Sequence, residues 1–172
     1  MLTDTKYHFQ WKDLGNIDEG RPNLGNLTCV STYRLMQYSM RSILNNHFGG
    51  EEVNRLFYQA GELAGKEFCR NMLNCDQDFF SFMSHLQDVM QEQKIGILRV
   101  EKTDLDAMNF TLVVAEDLDC SGLPITNETV CDYDEGFIAG IFNIYTSKDF
   151  NVREIDCWSK GDRVCRFEVS LR

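Results

Sequence analysis

From Leu27 onward apolar residues recur every three or four positions. Val30, Tyr33, Leu35, Met36, Met40, Ile43 and Leu44 form one helical stripe. Thr28 or Ser31 would cap its start, and Gly49-Gly50 are suited to end it. A second stripe, Val53, Leu56, Phe57, Ala60, Ala64, Phe68 and Met72, predicts a helix over 51–73. Gly61 and Gly65 lie four apart on it. Each lowers helix propensity by up to ~1 kcal/mol against Ala, which points to close approach of another backbone, either a second helix or a second subunit. A third helix is predicted over 76–93, with Asp76 and Asp78 at its positive end. The period then changes to two. Residues 95–102 and 109–116 alternate as strands, and a loop over 117–127 carries Cys120, Gly122 and Pro124. Phe137, Ile138, Ile141, Phe142 and Tyr145 restore helical spacing over 129–145. Two final strands, 151–158 and 163–171, flank a turn at Ser159-Lys-Gly-Asp. This order predicts an α+β fold, an antiparallel sheet with helices packed on it. Residues 1–26 read as an extended segment and 27–172 as a single domain.

Composition narrows the functional classes. The chain has 172 residues, 43% of them hydrophobic, enough for one core. A net charge of −10 opposes binding to phosphate backbones and anionic membranes. The N-terminus lacks the pattern of a signal peptide, and no run approaches ~18 apolar residues. The expected location is cytoplasmic. Seven cysteines, an odd number in a reducing compartment, point to metal ligands or buried thiols rather than disulfides. No nucleophile elbow, dinucleotide fingerprint, phosphate loop or HExxH motif occurs. Asp132, Asp134 and Glu135 are explained by the dipole of the helix they start.

The cysteines supply the candidate chemistry. Cys131 starts the last helix, where a thiolate is favoured, and Cys157 and Cys165 sit on the final hairpin. A three-residue turn would set these two opposite each other. Glu154, three residues before Cys157, shares their face only across a bulge or strand end. Cys120 is the other candidate, provided its loop folds back. Spacing alone leaves two readings open, a tetrahedral metal site or four separately buried cysteines.

The segment Cys131-Asp-Tyr-Asp-Glu-Gly-Phe-Ile-Ala-Gly, with Val152-Arg-Glu-Ile-Asp-Cys-Trp-Ser-Lys-Gly-Asp-Arg-Val-Cys-Arg-Phe-Glu-Val, resembles the 4-vinyl-reductase domain family. Arg21-Pro-Asn-Leu-Gly and the helix with Gly61 and Gly65 are similar to it too, so the resemblance runs from about Gly20 to the end. The family includes sensor domains of phenol- and xylene-responsive activators, and proteins linked to reduction of a tetrapyrrole vinyl group. Its fold is similar to that of TRAPP subunits. The resemblance implies a structural zinc held by Cys131, Glu154, Cys157 and Cys165, with Cys120 as an alternative fourth ligand. It also implies a small apolar or aromatic ligand and a homodimer, for which Gly61 and Gly65 offer a close-packing face.

Candidate pocket walls are Phe79, Phe82, Met83, His85, Phe110, Leu112, Phe137 and Ile141, although a Phe and Met stripe at helical spacing equally describes a core. The leading expectation is a zinc-containing, small-molecule-binding sensory module acting through a protein partner. The alternatives are an enzyme or accessory for tetrapyrrole vinyl reduction, and a protein–protein scaffold.

Overall fold

The computed structural model describes residues 7–172; the first six, part of the expected extended start, lie outside it. A 3-10 turn at Trp11–Leu14 and one helical turn, α1 (Ile17–Gly20), break up the segment expected to be extended. There follow α2 (Val30–Phe48), α3 (Gly50–Met72), α4 (Phe79–Glu92), β1 (Ile97–Asp104), β2 (Asn109–Ala115), α5 (Asp132–Thr146), β3 (Phe150–Asp156) and β4 (Cys165–Leu171).

The strands form one antiparallel sheet in the order β1-β2-β4-β3. Its two faces differ as the alternation predicts. Leu98, Phe110, Leu112, Val114, Val152, Phe167 and Val169 point into the core. The opposite face carries cross-strand ion pairs, Arg153 with Glu168 and Arg166 with Glu101 and Asp156. Helices α4 and α5 pack against the sheet, and α3 lies on α5.

Rings interlock where α4 and α5 meet the sheet. Phe110 stacks on Phe79 at 4.9 Å and on Phe142 at 5.1 Å, and Phe82 stacks on Tyr145 at 3.9 Å between centroids. Phe82, Met83, Phe110, Leu112, Phe137 and Ile141, read above as pocket walls, are buried core residues. Phe79 borders that core, and His85 is half-buried on α4 with its Nδ1 unpartnered.

The glycines of α3 meet a backbone within the same chain. A Cβ on Gly61 would run into the Tyr133 carbonyl, and one on Gly65 into the Phe137 carbonyl. The contact is reciprocal, since Gly136 of α5 faces the Tyr58 carbonyl and Gly140 the Glu62 carbonyl. Four glycines therefore let two helices touch main chain to main chain. Gly61 and Gly65 are used up in this crossing and leave no close-packing face for a second subunit.

Three local expectations need correction. The cap of α2 is Cys29, without a side-chain hydrogen bond, rather than Thr28 or Ser31. The stripe of α2 is not core: Leu35 is 73% exposed, Ile43 60%, Met36 58% and Met40 53%, and Gln37 is the one buried residue of this helix. Polar rather than apolar contacts dock this helix, as described below. The last hairpin has no tight turn. β3 ends at Asp156, the chain makes a 3-10 turn at Trp158–Lys160, and Gly161 reverses it at φ 104° before β4.

Candidate metal centre

Four chain segments bring four thiols together. Cys120 comes from the loop after β2, Cys131 from the N-terminal cap of α5, Cys157 from the end of β3 and Cys165 from the start of β4. All four are buried, and their sulfurs lie within 4.8 Å of one another. Cys131 Sγ is 3.9 Å from Cys157 Sγ and 3.8 Å from Cys165 Sγ; Cys120 and Cys165 are closer, at 3.0 Å. A tetrahedron with metal–sulfur bonds of about 2.3 Å has sulfur–sulfur edges of about 3.8 Å. Two of the three measured edges match, and the Cys120–Cys165 edge has to open slightly. The donor set fits a soft or borderline divalent ion.

A bulge makes the hairpin contribution possible. Glu154 pairs with Phe167, but Asp156 pairs with Arg166, so Ile155 is the additional residue on β3. It turns both Glu154 and Cys157 inward, which a regular strand forbids. Continuing the Asp156–Arg166 register puts Cys157 opposite Cys165. Glu154 sits behind the sulfurs, where its Oε2 accepts the Cys131 backbone N–H at 3.3 Å and its Oε1 has no partner. Glu154 is therefore not among the four clustered ligand atoms, and Cys120 is.

The electrostatics favour a cation. Hydrogen bonds from Cys120, Cys131 and Cys165 hold the Cys157 thiol well below its ordinary pKa, helped by the Ser159 N–H. The same contacts push the Cys131 and Cys165 thiols up. Burial raises the surrounding carboxyls: Glu154 to about 8, Glu135 to about 7, and Asp117, also beside Asp119, to about 7. In the metal-free protein these groups hold protons more tightly when folded than when unfolded. Their contribution to stability is complete below the ordinary carboxylate range and is lost as pH rises through about 7 to 8. The chelated protein is therefore expected to show a higher urea midpoint at about pH 5 than at about pH 8. A midpoint that climbs over that interval would contradict the raised carboxyl pKa values.

The polar face of α2 grips the loop that bears Cys120. Tyr33 Oη donates to Asp119 Oδ1 at 2.8 Å and Gln37 Nε2 to Asp119 Oδ2 at 2.6 Å. Arg34 donates to the carbonyls of Leu118 and Asp117, and Tyr38 to that of Asp119. Asp117 folds the loop by accepting the N–H groups of Asp119 and Cys120. On the other side of Tyr33 and Gln37, an apolar groove of about 410 Å³ opens between α2 and α3, lined also by Met36, Met40, Leu44, Leu56, Phe57, Ala60 and Tyr133. Sequence patterning missed both the grip and the groove. The available signal was the set Tyr33, Arg34, Gln37, Tyr38 and Arg41, which repeats at helical spacing alongside the apolar stripe.

No helix among the described residues is long and apolar enough to cross a membrane. The 4-vinyl-reductase domain model matches residues 110–171, which contain all four clustered cysteines. The uncharacterized protein MJ0150 of Methanocaldococcus jannaschii is 26% identical over 163 residues, 93% of this chain and 87% of that protein. A vinyl-4-reductase family protein from the same organism has a similar fold, with a TM-score of 0.63 and 17% identity over 96% of this chain and 99% of its own. The phenol-responsive sensory domain of the transcription activator PoxR, solved with phenol, gives 0.67 and 16% over 85% and 76%. A trafficking protein particle complex subunit 3 from Naegleria fowleri, covalently bound to palmitic acid, gives 0.66 and 12% over 83% and 95%. The α+β fold is thus the one shared by 4-vinyl-reductase and TRAPP-like proteins, and the chain carries a 4-vinyl-reductase domain whose four cysteines form one buried cluster.

Proposed function

We propose that this protein is a zinc-braced, small-molecule-sensing module that acts as a homodimer through a protein partner. One observation carries the reading: the groove and the thiol cluster share a wall. Tyr33 and Gln37 line the groove and bind Asp119, whose chain neighbour is Cys120. A ligand that displaces either side chain alters the loop that bears a metal ligand. The cysteines hold zinc, which thiolate-rich tetrahedral sites select over harder cations. Cys120, Cys131, Cys157 and Cys165 are its ligands, and Glu154 orients Cys131 from behind. Four protein ligands leave no open position, so the metal is structural.

The ligand is small and apolar or aromatic. The groove's size and its mostly apolar wall, ended by Tyr33, Gln37 and Tyr133, suit such a molecule. PoxR's sensory domain with phenol and the trafficking subunit with palmitic acid support that ligand class for the fold. The exposed apolar residues of α2, Leu35 and Ile43 among them, supply the surface for pairing two chains. Free rather than bridged cysteines fit a cytoplasmic setting.

Native mass spectrometry of freshly purified protein tests the reading. The expected mass is that of two chains with at least one zinc each, plus any retained ligand. A monomer without metal would reject the assignment. Thermal shifts with a phenol and fatty-acid panel locate the ligand. Ala60→Trp, which fills the groove, is expected to abolish the shift and keep the zinc; an undiminished shift moves the ligand out of this groove.

A further inference from the structure

Beside the four sulfurs lies a second set of donors that the four-cysteine site does not use. One carboxylate oxygen each of Asp117 and Asp134 and the Cys131 sulfur lie within 4.8 Å of one another. Asp134 stands in the first turn of α5, three residues after Cys131, and Asp117 opens the loop that ends in Cys120. Asp134 Oδ2 is out of contact with solvent and has no hydrogen-bond partner. A buried carboxylate left this way costs far more than one that is paired.

Charge balance sharpens the point. Four thiolates around one divalent ion leave an excess of two negative charges. Asp117, Asp119 and Glu154, all buried, and Asp134 surround that excess. Two cations face this wall from α2, and neither compensates Asp134. Arg34 is engaged by the carbonyls of Asp117 and Leu118, and Arg41 by Asp132. Among the described residues no ion pair reaches Asp117 or Asp134.

We propose that Asp117 and Asp134 hold a second divalent cation next to the zinc, with the Cys131 thiolate as the bridge between the two ions. The donor set, two carboxylates and one shared sulfur, suits a borderline ion such as zinc, cobalt(II) or iron(II) rather than magnesium or calcium. Three protein donors leave positions open, so this ion, unlike the first, has room to bind water or another small molecule. The inference rests on the four-cysteine site proposed above.

Cobalt(II) titration of the chelated full-length protein separates the outcomes. Wild type is expected to take up two cobalt ions per chain. The first produces thiolate-to-cobalt absorption. The second weakens the cobalt electron paramagnetic resonance signal, by exchange through the shared sulfur. Asp134→Asn is expected to bind one, with the thiolate bands intact and no weakening of the signal. Asn also imitates a protonated carboxyl, so an Asp134→Asn protein that still binds two ions overturns the proposal. One ion in wild type overturns it while leaving the four-cysteine site standing. No cobalt uptake at all removes both. Asp117→Asn provides a second variant should Asp134→Asn fail to fold.

Discussion

Chelation of the bound metal at neutral pH is expected to lower the Tm by about 8–16 °C. The magnitude follows from linkage. A metal present at a thousandfold excess over its Kd stabilises the folded state by about 4 kcal/mol, and in a chain of this size each kcal/mol moves Tm by about 2–4 °C. Unlike a zinc finger, the chain has a separate aromatic core around Phe82, Phe142, Phe150 and Phe167. The apoprotein therefore stays folded at 25 °C and loosens first at the hairpin and the loop carrying Cys120. Cys157→Ser is expected to reproduce the chelator's effect without a chelator, and added zinc will not restore the Tm. Between the two candidates for the fourth ligand, Cys120→Ser releases metal and Glu154→Gln retains it; the opposite pattern would return the role to Glu154. A Tm unchanged by both chelation and Cys157→Ser would leave four buried thiols with no metal role.

Gly61→Ala is expected to be more damaging than any surface change, by more than about 3 kcal/mol, beyond the usual cost of overpacking. An added methyl elsewhere in a core displaces side chains that have some freedom to adjust. Here it meets the Tyr133 carbonyl, whose helix is fixed from below by the sheet. The helices must separate, and α5 carries Cys131 at its start. Metal affinity should therefore fall together with stability. Gly136→Ala, the reciprocal contact with the Tyr58 carbonyl, is expected to match it. Gly20→Ala has open space at its Cβ and should change stability by less than about 0.5 kcal/mol. Urea unfolding of the three variants tests this ordering. Equal losses in all three would mean that helix propensity, rather than the crossing, governs the effect.

How far the chain was legible depends on the kind of signal at each point. Helices α3, α4 and α5 and the sheet strands are long, strongly periodic and flanked by breakers, so their existence follows from pattern alone. Gly61 and Gly65 announced a backbone contact, but spacing does not say whose backbone, and the answer lay on a distant helix, in Gly136 and Gly140. The stripe of α2 misled because period reveals an apolar side without revealing what covers it. Tyr33 fitted that stripe, yet its hydroxyl serves as a donor to Asp119. Cys131, Cys157 and Cys165 were recognisable as a set. Cys120 could be ranked only once the loop was seen folded back by Asp117, a local side-chain bond that leaves little trace in composition.

The additional residue at Ile155 has a consequence for how this sequence can change length. Insertion or deletion within the link between Cys157 and Cys165 alters only the excursion through Trp158–Lys160, and the two cysteines remain opposite each other as long as the strands keep their pairing. Losing one residue between Glu154 and Cys157 has a different result. It restores the two-residue alternation and turns either the carboxyl or the sulfur outward. Relatives that keep the cluster should therefore differ freely in the length of that link while holding the Glu154-to-Cys157 interval constant. A relative that has lost a residue in that interval should have lost its cysteine as well.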